Sequence, residues 1–143
     1  VMINMTAIAI LSLPAILGYN VWSGVAPLGE GSTIMDLEDF LVSSNIQPLG
    51  SLVFLMFCTS KNGWGFNGFL DEINSGVGIS FPEKVRFYMS KILPIAIVII
   101  YLKGYYDLFS PKGTAMFASW MLVAFILLGA IGYIVFKKPN HQR

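Results

Sequence analysis

The stretch GTAMFASWMLVAFILLGAIGYIVF, residues 113–136, carries no charged side chain. About 20 apolar residues in a helix cover the roughly 30 Å hydrocarbon core of a bilayer, so this stretch reads as a transmembrane helix. Working outward, Val1 to Gly29 is also free of charge, with Val1–Trp22 apolar enough to span, and so is Phe40 to Ser60. Phe81–Tyr106 is rich in Ile, Val and Tyr but holds Lys84, Arg86, Lys91 and Lys103. Its clean run, Ile92–Leu102, reaches only about 17 Å, so it crosses the bilayer only if Lys91 and Lys103 extend outward from its ends. The expectation is an all-α, polytopic integral membrane protein with four transmembrane helices over residues 1–22, 37–60, 83–106 and 114–137. A loop over 61–82 joins the second to the third.

The whole chain agrees with that reading. Of its 143 residues, 55% are hydrophobic and 12% charged, with a mean hydropathy of +0.69. Soluble domains carry about 25% charged residues. A net charge of +1 leaves no electrostatic footprint for nucleic acid. A single cysteine, Cys58, excludes an internal disulfide and any CxxC site, and is expected to be a small buried hydrophobe. The one histidine, His141, lies in the polar tail and is read as solvated. HExxH, a Ser/His/Asp set and a phosphate-binding Gly loop are all missing, so no catalytic or metal-ligating residue is assigned and the chain is read as not an enzyme.

The basic residues orient the spans. Residues 23–39 hold no Lys or Arg, and the third connection holds Lys103 and Lys112. Lys61, Lys84, Arg86 and Lys91 follow the second span, and Lys137, Lys138 and Arg143 follow the fourth. The positive-inside rule then places both chain ends in the cytoplasm, with the protein in the cell (inner) membrane. Trp22, Trp64, Tyr19, Tyr105 and Tyr106 fall near span boundaries, where aromatic rings act as interfacial anchors. The chain opens at Val1 in mid-hydrophobic run, without the basic segment of a signal peptide, and is read as cut from something longer.

Pro14 and Gly18 interrupt the first span; Pro48 and Gly50 interrupt the second. Asp39, Ser43, Gln47 and Gly50 recur at about helical spacing on that second span and share a face. Such a face looks into protein or an aqueous vestibule, and helix–helix hydrogen bonding is the plainer of the two readings. The preceding loop is acidic, with Glu30, Asp36, Glu38 and Asp39, and Gly29 and Gly31 suit a turn there. Ser32 or Thr33 is the candidate cap, with Asp36 in the first turn. Asp39 sits at the membrane edge, where Lys103 and Lys112 are its candidate, weak partners. Phe69–Ser75 reads as a short amphipathic helix ended by Gly76 and Gly78, and Pro82 opens the third span. Ala124, Gly129, Ala130 and Gly132 form a small-residue patch for close helix packing, without GxxxG spacing.

These residues carry a resemblance. NVWSGVAPLGEGSTIMDLEDFLVSSNIQPLGSL (20–52), FCTSKNGWG (57–65) and FLDEINSG (69–76) resemble the C-terminal part of a bacterial neurotransmitter:sodium symporter, over about residues 12–106. The resemblance implies helices nine to twelve of an inverted-repeat sodium symporter fold that moves amino acids or related amines with sodium. It implies that the sodium ion and the amino-acid substrate bind on helices outside this chain, which holds no cofactor of its own. It also implies that Asp39, within DLEDF, is the outer-gate carboxylate, paired in the family with an arginine of helix one. Ser43 and Gln47 are then candidates for the vestibule face. The expected partners are the lipid bilayer and the remaining N-terminal helices of the transporter, with a homodimer left open. Transport by this chain alone is not expected. The competing reading is a self-standing four-helix membrane protein that packs against a partner.

Overall fold

The computed structural model describes residues 1–78 and 80–137, and every regular element among them is helical. His141, Lys138 and Arg143, read from the sequence as a polar tail, lie outside the described residues. Three helices are long and apolar enough to cross a membrane: α2 (Ile34–Thr59, 26 residues), α4 (Val85–Lys112, 28 residues) and α5 (Thr114–Phe136, 23 residues). Ahead of them lies α1 (Met2–Gly18), apolar but only 17 residues long, and α3 (Phe66–Ile73) lies between α2 and α4. At about 25 Å, α1 is at the short end of what spans a bilayer, and it stops at Gly18 rather than reaching Trp22.

The third span, expected over 83–106, runs on past Tyr106 as α4, one helix that continues from Val85 and tightens to a 3-10 turn at Ser110–Lys112. Lys103 is accommodated inside it by an ion pair to Asp107 at 2.5 Å, one turn on. Gly113 alone then separates α4 from α5. Its φ of +96° lets the chain reverse in one residue, a conformation a side chain would strain.

Prolines shape α2 and α4 in the same way. Pro48 and Pro94 lack the N–H that closes an α-turn, and each ring would press on the carbonyl four residues back. In both helices the preceding turn is widened to a π-turn, Val42–Ile46 and Tyr88–Ile92. The residue before each proline, Gln47 or Leu93, donates its N–H to the carbonyl five residues back, Val42 or Tyr88. The helices therefore continue through their prolines.

One aromatic core joins α2, α4 and α5. Tyr101, Tyr105 and Phe109 recur every fourth residue on α4, and all three are buried. Phe40 of α2 packs edge-on against Tyr105 at 5.0 Å, and against Phe109 and Trp120 at 5.3 Å each. Trp120 of α5 stacks on Phe109 at 5.0 Å. Tyr105 is 0% exposed, so it is a core residue and not the interfacial anchor its position in the sequence indicates; Tyr19, Trp22, Trp64 and Tyr106 do remain exposed. The small-residue patch of α5 is divided. Ala124 is fully buried in the core and Gly132 faces α4, while Gly129 and Ala130 point outward. Cys58 is half-buried, less enclosed than expected.

Candidate functional site

The two ends of the bundle differ in charge. At the end where Phe40, Phe109 and Trp120 meet, the connections and helix termini carry Glu30, Asp36, Glu38, Asp39 and Asp107 against Lys103 and Lys112. At the other end the described residues are Lys61, Lys84, Arg86, Lys91 and Lys137 against Asp71, Glu72 and Glu83. Asn62 ties this basic end together, donating from its side chain to the carbonyl of Val135 at the end of α5 at 3.2 Å.

The acidic end is built from its loop upward. Of the two candidate caps, Thr33 is the one used. Its hydroxyl accepts from the Asp36 N–H at 3.3 Å, and the Asp36 carboxylate accepts from the Thr33 N–H at 2.6 Å, a reciprocal capping box that starts α2. Ser32 serves the loop instead: its hydroxyl accepts from the Leu28 N–H at 3.0 Å and donates to the Gly29 carbonyl at 2.6 Å. The turn expected at Gly29 and Gly31 forms, with φ of +99° and +79°. Lys112 donates to the Leu28 carbonyl at 2.7 Å, which holds the loop down with Leu28 buried beneath it.

Between this loop, the start of α2 and the end of α4 lies a cleft of about 560 Å³. Asp36, Asp39, Glu30 and Asp107 line it, with Lys112 at one side and Ser44 and Gly104 at its floor. Ser44 and Gly104 also border a second cleft of about 360 Å³, lined by Ser43, Gln47 and Ser51. The two clefts form a continuous seam along α2. Asp39, Ser43, Gln47 and Ser51, each four residues from the next, are all exposed on it, and Gly50 is half-buried beside it. The three residues that the sequence assigns to the gate and vestibule face thus share one side of α2.

Asp39 accepts a hydrogen bond from the Ser43 hydroxyl at 2.8 Å. Its expected partners do not reach it. Lys103 is held by Asp107 and Lys112 by the Leu28 carbonyl, and among the described residues no Lys or Arg lies within ion-pair distance of Asp39. A carboxylate at the mouth of a polar seam, with one hydroxyl donor, has acceptor capacity left for a cation or for donors from another segment.

Behind the seam lies a feature with no role in the sequence reading. Asn45, on the π-turn, is buried. Its Nδ2 donates to the Phe40 carbonyl at 3.1 Å, and its Oδ1 accepts from the Tyr105 hydroxyl at 2.5 Å and the Tyr101 hydroxyl at 3.3 Å. Every polar atom in this node has a partner, so the hydrogen bonds offset the cost of burying it and the node locks α2 to α4. The available signal was Tyr101 and Tyr105 one turn apart at the end of an apolar run, together with Asn45 three residues before Pro48.

The chain is similar to an uncharacterized sodium-dependent transporter, YhdH, of Bacillus subtilis (strain 168), with 31% identity over 97 residues. That match takes in 66% of this chain and 21% of the relative, so the chain spans about a fifth of the relative's length. No family model matches the chain, and no solved structure matches it.

Proposed function

We propose that the chain is the C-terminal scaffold of a sodium-coupled secondary transporter for amino acids or related amines, and that Asp39 is the carboxylate of its outer gate. The similarity to a sodium-dependent transporter supports the transport reading. The observation that carries the gate is Asp39 itself, exposed at the mouth of the polar seam and held only by Ser43 among the described residues. In this reading α1, α2, α4 and α5 are four membrane spans of the inverted-repeat fold, and the basic end faces the cytoplasm. The sites for sodium and substrate lie on helices that precede this chain, and the chain carries out no covalent chemistry.

The mechanism is alternating access. Sodium and substrate bind more tightly to one conformation than the other, and that difference alone shifts the population. The rigid unit of α2, α4 and α5, fastened by the Asn45 node and the aromatic core, gives the moving helices a fixed wall. Asp39 receives a cationic side chain from those helices when the outer mouth closes. The acidic cleft around Glu30, Asp36 and Asp107 attracts cations before closure.

Uptake of labelled amino acids by the complete gene product in vesicles tests this reading. It predicts saturable accumulation that requires an inward sodium gradient. Accumulation that is the same with potassium replacing sodium contradicts it.

A further inference from the structure

The basic end of the bundle holds a pocket of about 300 Å³ that the transport reading does not use. It lies where the end of α2 and the start of α4 meet the 60–68 segment, and is lined by Thr59, Lys61, Trp64, Asn67, Arg86 and Ser90. Residues far apart in sequence converge there, so no basic run announces it. Arg86 is fixed in place by three contacts. Its guanidinium lies 5.0 Å over the Phe66 ring, its Nη2 donates to the Asn67 side chain, and the same Nη2 pairs with Glu83 at 3.2 Å. Among the described residues both polar partners fall on Nη2, which leaves Nη1 and Nε to donate. Nη1 and Nε lie on different edges of the guanidinium, so each offers a separate charge-assisted hydrogen bond to an oxygen of a tetrahedral anion. Lys61 adds a second positive charge, and the Ser90 hydroxyl and Trp64 indole add neutral donors.

The geometry points to a binding pocket for a phosphate group, occupied by the headgroup of an anionic phospholipid. The source follows from where the pocket sits. It opens at the ends of two membrane-length helices, at the end of the bundle with excess positive charge, beside the half-exposed Trp64. Basic pockets between transmembrane helices at that depth take anionic headgroups, and tryptophan rings settle at the same level. The inference rests on α2 and α4 crossing the membrane, and not on the chain taking part in transport.

The test is native mass spectrometry of the complete gene product in neutral detergent, titrated separately with phosphatidylglycerol, phosphatidylcholine and inorganic phosphate. We expect phosphatidylglycerol to be retained, phosphatidylcholine to be retained weakly, and the Lys61→Gln/Arg86→Gln variant to lose phosphatidylglycerol affinity by about thirtyfold. Arg86→Lys, which keeps the charge and removes the planar guanidinium held over Phe66, should lose part of that. Lys84→Gln/Lys91→Gln, which removes two charges at the same end outside the pocket, should change it by less than about threefold. Thermal unfolding without lipid checks that each variant is folded; if Lys61→Gln/Arg86→Gln is not, Arg86→Lys and Trp64→Leu carry the test. Equal loss in both double variants, or equal retention of the two lipids by the unsubstituted protein, overturns the proposal. Inorganic phosphate binding with no preference for phosphatidylglycerol overturns the lipid assignment. Protein recovered without detergent in the aqueous fraction overturns the membrane reading on which the proposal rests, whatever the sodium dependence of uptake.

Discussion

The Oδ1 of Asn45 accepts a hydrogen bond from the Tyr105 hydroxyl at 2.5 Å, across 60 residues of sequence, and both side chains are buried. This contact and the neighbouring Tyr101 hydroxyl fasten the widened turn of α2 to the middle of α4. Removing one partner leaves the other buried with an unmet hydrogen bond, while removing both relieves that cost. Asn45→Ala and Tyr105→Phe are each expected to destabilise the folded protein by about 1 kcal/mol. The double variant is expected to cost less than the sum, with a coupling of about 1 kcal/mol in a double-mutant cycle measured by unfolding in mixed micelles. Additive losses would show that the bond contributes nothing.

The capping box gives a local prediction. Thr33→Ala removes the acceptor for the Asp36 N–H and frees the first turn of α2. The expected cost is about 1 kcal/mol. It should appear as faster amide exchange confined to Ile34–Leu37, with Asn45 and Tyr105 unaffected. Ser32→Ala should instead loosen the loop over Leu28, because the Ser32 hydroxyl bonds there and not to the helix.

Much of this was legible in the sequence, because the deciding forces act locally. Charge-free runs of membrane length gave α2 and α5, the acidic loop gave two candidate caps of which Thr33 is the one used, and the four-residue recurrence of Asp39, Ser43 and Gln47 gave one shared face. The helix expected at Phe69–Ser75 forms slightly earlier, at Phe66–Ile73. The Asn74 side chain closes the segment after it by bonding both the N–H and the carbonyl of Phe81. What was not legible depends on distant partners. Tyr105 near the end of an apolar run fits an interfacial anchor and a core residue equally well, and only the arrival of Phe40 decides. The extension of α4 past Tyr106 was not legible because Asp107 reads as the end of the span until it is counted as the partner of Lys103 one turn back. Asn45 lies off the Asp39 stripe, and its bonding partners come from another helix.

For the proposed gate, the charge of Asp39 is the quantity that matters. Asp39→Asn keeps the shape and the Ser43 contact and removes the negative charge. Sodium-dependent uptake by the complete gene product is expected to fall by about tenfold, with membrane expression unchanged. Ser43→Ala, which removes only the orienting hydroxyl, should cost about twofold. Uptake kinetics unchanged in Asp39→Asn would remove the gate role.

The direction in which the acidic cleft and the basic end face is the claim on which the functional account rests. It is tested most directly by labelling intact cells with a membrane-impermeant maleimide, in a Cys58→Ser background carrying one new cysteine. Glu30→Cys, on the exposed loop over the cleft, should label in intact cells, and Asp71→Cys, on α3, only after the membrane is opened. The reverse pattern, or equal labelling of both in intact cells, would contradict the account.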